Sequence, residues 1–183
     1  MASSGQLTAP MLGALLRDGK LAGNWTLDGT KSEIRLKSKS MWGLAPVRGV
    51  FRQVTGSGSV SATGDVSGTI AVAAGSVDTK NRKRDEHLRS ADFFDAAKHP
   101  HITFSISGIR PAGDGATVTG TLAVRGRTRP LSLNAQVSVF DGGEVWLDGE
   151  VKVNRADFGL TWNQMGMASM HNTIAVHAVF ARQ

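Results

Sequence analysis

In Ser32-Glu33-Ile34-Arg35-Leu36-Lys37-Ser38-Lys39-Ser40, charged residues alternate with apolar or small ones. A period of two puts one face in water and turns the other inward, so the segment reads as a half-buried strand. The same alternation recurs down the chain. Val66, Gly68, Ile70 and Val72 carry it, then Val118, Gly120, Leu122 and Val124, then Leu131, Leu133, Ala135, Val137 and Val139. Further strands are expected over 145–153 and 174–180, and over 102–106, where Pro100 returns the chain to extended backbone. Gly56-Ser57-Gly58, Gly113-Asp114-Gly115 and Asp141-Gly142-Gly143 read as turns, the last as a hairpin. Gly68, Gly120 and Gly149, inside strands, suit a strongly bent, closing sheet. Many short strands joined this way indicate an antiparallel barrel or sandwich.

Two segments depart from the alternation. Met11, Leu12, Leu15 and Leu16 recur at helical spacing after Pro10 and before Gly19, giving a short amphipathic helix. Its polar face lacks a basic cluster, which favours docking over a barrel end above lying on a membrane. Residues 1–23 are therefore read as an N-terminal extension and 24–183 as the barrel. Between Asp78 and Pro100, Asn81 and Ser90 are suitable N-caps for two short helical turns, over 81–88 and 90–98.

The 183 residues suffice for one domain with a core or a ligand cavity, and 40% apolar with 20% charged residues excludes a disordered chain. Absence of cysteine excludes disulfides, zinc-thiolate sites, iron–sulfur clusters and thiol nucleophiles. A net charge of +6 favours anionic partners. No apolar run approaches the ~18–20 residues of a membrane-spanning helix. No Lys or Arg precedes the apolar patch from Pro10 to Leu16, so a secretory signal is not read there and a cytoplasmic or peripheral-membrane location is expected.

Catalytic signatures such as G-x-S-x-G, H-E-x-x-H, a P-loop or G-x-G-x-x-G are missing. His99 and His101, with His171 and His177 as distant partners, could be metal ligands, but a surface loop entering a strand is the favoured reading, and no metal site is assigned. Asp92 with Asp95, and Asp148 with Glu150, are read as solvated charge. The run Lys80, Arg82, Lys83, Arg84 and Arg89 could hold a phosphate. It lacks interleaved aromatics for base stacking, so nucleic acid is not expected. Phe93, Phe94, Phe104, Trp42, Phe158, Trp162 and Phe180, with Met165, Met167 and Met170, either fill a core or line an apolar cavity.

The segment Thr79-Lys80-Asn81-Arg82-Lys83-Arg84-Asp85-Glu86-His87-Leu88-Arg89-Ser90-Ala91-Asp92-Phe93-Phe94-Asp95, followed by Pro100, Ile102, Thr103 and Phe104, resembles the YceI-like family of polyisoprenoid-binding, lipocalin-like proteins. Its T-x-N-x-x-R-D-x-H-L-R-S-x-D-F-F-D pattern is complete. Trp25, Asp28, Ser32, Gly49, Phe51, the stretch from Val118 to Leu122, Gly126, Thr128, Pro130 and Arg155-Ala156-Asp157-Phe158-Gly159 agree as well. Lys31 and Lys39-Ser40 stand where the family often has histidines. The resemblance implies an all-β, eight-stranded antiparallel barrel with short helices between strands, enclosing an apolar channel for an isoprenoid chain.

The expected function is non-enzymatic carriage of a polyisoprenoid or related lipid, such as a polyprenyl phosphate or quinone, with no cofactor. The expected lining is Leu36, Trp42, Ile70, Phe93, Phe94, Phe104, Leu122, Phe158, Trp162 and Ile174, with Lys39, Arg48 and Arg84 for a head group. The alternative is an isomerase, cyclase or hydrolase on the same barrel with His87, His99 or Asp85 as acid or base. Peripheral membrane contact and a homodimer through an exposed barrel edge are further expectations.

Overall fold

The computed structural model describes residues 5–183; the side chains of Trp42 and Gln164 lie outside that description. After a two-residue strand β1 (Gly5–Gln6), helix α1 (Ala9–Arg17) begins at Thr8, whose hydroxyl accepts from the Met11 N–H. Gly19 follows the helix with φ of 68°, a left-handed turn that glycine takes without steric cost. Strands β2 (Gly23–Leu27) and β3 (Glu33–Ser40) are two halves of one long strand. The break between them is an Asx turn, in which an Asp28 carboxylate oxygen accepts the Thr30 N–H at 2.9 Å and the Thr30 hydroxyl at 2.6 Å.

The chain reverses through Met41–Gly43 into β4 (Ala45–Phe51) and β5 (Val54–Val60), which run back along β3 and β2 respectively. β6 (Val66–Ala73) pairs with β5, and its continuation β7 (Val77–Asp78) pairs with β4 at Val50 and Phe51. Helix α2 (Arg82–Arg89) follows. Four long strands complete the sheet: β8 (His101–Ala112), β9 (Gly115–Val124), β10 (Arg127–Phe140) and β11 (Glu144–Asn154). The last strand, β12 (His171–Arg182), pairs with β11 on one side and with both β2 and β3 on the other. That pairing closes an eight-stranded antiparallel up-and-down barrel, counting each broken strand once. The strand edges that closure leaves open include those of β1, which pairs only with β10, and of β7, which pairs only with β4.

Glycine permits the tightest bend. A side chain at Gly120 would collide with the Ser105 carbonyl oxygen, and the pairing of β8 with β9 slips between Ile106 and Gly108 directly opposite. Gly68 and Gly149, expected at bends, lie against the carbonyls of Ser57 and Asn134. Gly56-Ser57-Gly58 is not the turn its composition suggested. It lies inside β5, where a side chain at Gly56 would come 2.6 Å from the Thr69 carbonyl oxygen. Segment 90–98, expected as a second helical turn, forms successive hydrogen-bonded turns instead, with the N–H groups of Phe93 and Asp95 both donating to the Ser90 carbonyl.

At the end holding β1 and α1 the barrel is plugged. Leu12 and Leu16 of α1 are buried, and the indole N–H of Trp25 donates to the Leu21 carbonyl at 3.0 Å. The amphipathic helix thus docks over the barrel end, as its polar face suggested.

Candidate functional site

Strand alternation fixes which side chains enter the barrel. Ile34 and Leu36 of β3, Val47 and Phe51 of β4, Ile70 and Val72 of β6, and Ile174 and Val176 of β12 face a common cavity of about 940 Å³. β8 to β11 contribute Phe104, Leu122, Leu131 and Val151, among others. Ile70, Phe104, Leu131 and Ile174 stay only half-buried although they point inward, because side chains do not fill the barrel. Volume and lining match a small-molecule pocket, whose usual range is about 300–1,000 Å³.

The floor is formed by Ile106 and Leu147. Both border the main cavity, and both also border a separate void of about 80 Å³ beneath α1, lined by Leu12, Leu16, Trp25 and Phe180.

The opposite end is the mouth, where the lining includes the exposed residues Lys39, Asn81, Lys83 and Trp162. Segment 79–98 leaves the sheet after β7 and crosses this end. Its polar groups are spent on holding it there. Asn81 caps α2 by accepting from the Arg84 N–H at 3.0 Å. Buried Asp85 accepts from the N–H and hydroxyl of Thr79, and Arg84 donates to the Thr79 hydroxyl and carbonyl. Arg89 donates to the Val77 carbonyl, and Ser90 to that of His87. The apolar side chains Leu88, Phe93 and Phe94 are left facing the cavity. Phe94 packs 6.0 Å from Phe51, centroid to centroid, and Arg125 anchors the Phe93 carbonyl at 3.0 Å.

The second side of the mouth is the loop from Leu160 to Met170. Buried Arg155 holds it, donating to the main-chain carbonyls of Leu160, Trp162, Ala168 and Ser169. Burial pulls its guanidinium below the usual arginine range. Trp162 from this loop packs on the His87 ring with centroids 4.2 Å apart, joining the loop to α2.

Of the apolar residues expected to line a channel, Leu36, Ile70, Phe93, Phe94, Phe104, Leu122, Phe158, Trp162 and Ile174 all border this cavity. Trp42 lies outside the described residues, its side chain being undescribed. Lys39 and Arg84 border the mouth. Arg48 does not: it is exposed on the outer face of β4, because it stands between the inward Val47 and Gly49. Lys83, Asn81 and Arg155 also border the cavity and were not singled out as lining, and Met167, one of the methionines read as either core or lining, borders it too. Arg155 was legible only as part of the R-x-D-F-G resemblance, and Lys83 only as one member of a basic run.

Electrostatically the cavity is one-sided. Its charged lining residues, Lys39, Lys83, Arg84 and Arg155, are all cationic. Among the acid or base candidates, His87 borders the cavity, with Nε2 3.2 Å from Asp92. Asp85 is engaged by Thr79, and the His99 ring lies against Gly126. His177 pairs with Asp148 on the outer wall at 2.5 Å. Among the described residues no group of three or more His, Asp or Glu is gathered to hold a metal.

Residues 25–181 match the family model of the YceI-like domain. A UPF0312 protein of Azotobacter vinelandii is 32% identical over 190 residues, covering 97% of each chain. Protein YceI of Salmonella arizonae is 35% identical over 106 residues, covering 55% of this chain and 54% of its own. Among solved structures, BcnA of Burkholderia cenocepacia superposes with a TM-score of 0.75 at 24% identity, over 84% of this chain and 98% of its own. A polyisoprenoid binding domain from Saccharophagus degradans gives 0.70 at 16% identity, over 87% and 98%. The YCEI protein of Campylobacter jejuni gives 0.62 at 26%, over 73% and 84%.

Proposed function

The chain belongs to the YceI-like domain family, and from that premise we propose that it binds and carries, without chemical turnover, a long-chain polyisoprenoid or related lipid in the barrel cavity. The observation that carries the reading is the cavity of about 940 Å³, open at one end, with a wall of aliphatic and aromatic side chains and its charges at the mouth. The protein from Saccharophagus degradans described as polyisoprenoid-binding shares this barrel.

The physics suits a long branched hydrocarbon. A five-carbon unit moved from water into such a wall gains roughly 3–4 kcal/mol at ~0.8 kcal/mol per CH₂-sized group, before ordering costs. Binding therefore grows with each unit that enters. The all-cationic lining favours an anionic head group at the mouth, a prenyl phosphate above a neutral quinone. Chemistry on the ligand is not part of the proposal: His87 lines the cavity, and its described carboxylate partner, Asp92, is not among the lining residues.

A titration with a fluorescent prenyl phosphate tests the reading. Wild-type protein should saturate at one ligand per chain. Ile174→Trp, which adds bulk opposite Leu36 within the cavity, should weaken binding at least about tenfold while the barrel still folds. Equal affinity in the two proteins would contradict binding inside the barrel.

A further inference from the structure

Among the described residues, the large hydrophobic side chains left exposed are Met11, Met41, Leu44, Trp162 and Met165. Four of these five stand at the cavity mouth. Met41 and Leu44 form the tip of the hairpin joining β3 to β4, with Leu44 83% exposed. Met165, 77% exposed, tips the loop held by Arg155. The two tips are neighbours, since the Ser169 N–H donates to the Lys39 carbonyl at 2.9 Å. Trp162 connects them to α2 through His87.

Two of these side chains sit where the backbone disfavours any side chain. Met41 has φ of 52° and Met165 φ of 54°, the left-handed region that glycine occupies most easily, and Gly43 and Gly166 beside them are left-handed as well. Neither methionine is needed to fill a core or line the cavity. The backbone is strained at two loop tips to hold unbranched apolar side chains in water.

Charge follows the same polarity. The hairpin segment 37–48 carries Lys37, Lys39 and Arg48 and no acidic residue, with Lys37 paired across the sheet to Glu150 at 3.6 Å. The turn between β9 and β10, at the same end, has Arg125, Arg127 and Arg129. At the plugged end, the turns after β5, β8 and β10 carry Asp65, Asp114 and Asp141, so positive charge from Arg17, Lys20 and Arg182 is offset there.

We infer that the mouth rim docks on an anionic lipid bilayer, with Met41, Leu44 and Met165 entering the head-group region and the surrounding lysines and arginines meeting anionic lipid. The inference rests on the channel reading, because docking there sets the cavity opening against the phase in which a long isoprenoid is dissolved. Three side chains on two tips suit insertion between lipids. They do not offer the continuous area of about 800 Å² per partner that a stable protein interface buries. The rim is cationic and its apolar points are few, so binding requires both contributions and falls with salt.

The test uses the full chain and vesicles of phosphatidylcholine, with and without phosphatidylglycerol, in a flotation assay, alongside a titration with farnesol. Expected is flotation with the phosphatidylglycerol vesicles only. The combined variant Met41→Gly, Leu44→Ser, Met165→Gly should lose vesicle affinity at least about tenfold. It should keep its thermal midpoint, because glycine relieves both left-handed positions, and its farnesol affinity, while taking up prenyl lipid from vesicles more slowly. Undiminished flotation of that variant overturns the inference. So does flotation lost instead on Met11→Ser, or a dimer in light scattering that vanishes in the rim variant and makes a second copy the occupant. Farnesol binding without flotation overturns docking and leaves the channel reading standing. Rim-dependent flotation without farnesol uptake removes the channel reading and the loading role with it.

Discussion

Asp85 accepts both the backbone N–H of Thr79, at 2.9 Å, and its hydroxyl, at 2.6 Å, and both residues are buried. With Arg84 donating to Thr79 as well, this pair fixes where the chain leaves the sheet and turns into α2. The most distinctive stretch of the sequence is thus a fastening. It holds Phe93 and Phe94 across the barrel mouth. Asp85→Ala leaves two buried donors of Thr79 without their acceptor and should cost about 2–4 kcal/mol, read by urea unfolding. Ligand affinity should fall with it, since α2 loses its tether; a change under about 0.5 kcal/mol would deny the pair this role.

The floor offers a second test. Leu147 stands between the main cavity and the void beneath α1. Leu147→Ala should merge them and cost about 2–5 kcal/mol as a large-to-small core substitution. The variant should gain preference for geranylgeraniol over farnesol relative to wild type, measured by competition. An unchanged preference would mean that the ligand does not reach this floor.

Head-group recognition separates the cationic rim from the apolar wall. Lys39 and Lys83 are exposed and border the mouth, and the bond Lys39 makes to the Ser169 N–H is through its main-chain carbonyl, which a side-chain substitution leaves in place. Lys39→Gln combined with Lys83→Gln should weaken farnesyl phosphate about tenfold and leave farnesol unaffected. Equal loss for both ligands would place the effect on the wall.

Much of this architecture was legible in the chain. The alternation around Leu36, Ile70, Leu122 and Ile174 identified strands and the residues that share a face. It could not say which face was the lumen, because a shift of one residue exchanges the two. The aromatics of segment 79–98 were placed by resemblance, not by periodicity. β5 was obscured by Gly56 and Gly58, which read locally as a turn. Gly56 is needed there because the Thr69 carbonyl oxygen passes so close. Arg48 was misplaced because a basic residue near a motif carries no signal of side, whereas its place between Val47 and Gly49 in the alternation puts it outside. The Arg155 clamp was hidden because its partners are main-chain carbonyls of a loop, which leave no mark on composition.

Acid sensitivity is expected at the break between β2 and β3. Hydrogen bonds from the hydroxyl and N–H of Thr30 hold the Asp28 carboxyl below the usual carboxylate range. A carboxyl lowered in the folded state contributes stability above its unfolded pKa, and that contribution is lost as pH falls through the folded value. Asp28→Asn should therefore be less stable than wild type at neutral pH, and the gap should close as pH falls below about 4. Parallel thermal melts across that range check it; a gap independent of pH would assign the loss to geometry and not to charge.

The most direct measurement is native mass spectrometry of the purified protein, with solvent extraction and identification of what co-purifies. Expected is one prenyl lipid per chain, or its stoichiometric uptake on incubation with a polyprenyl phosphate, reduced in Ile174→Trp. A clean protein mass, unchanged after incubation with polyprenyl phosphates and isoprenoid quinones, would contradict isoprenoid carriage.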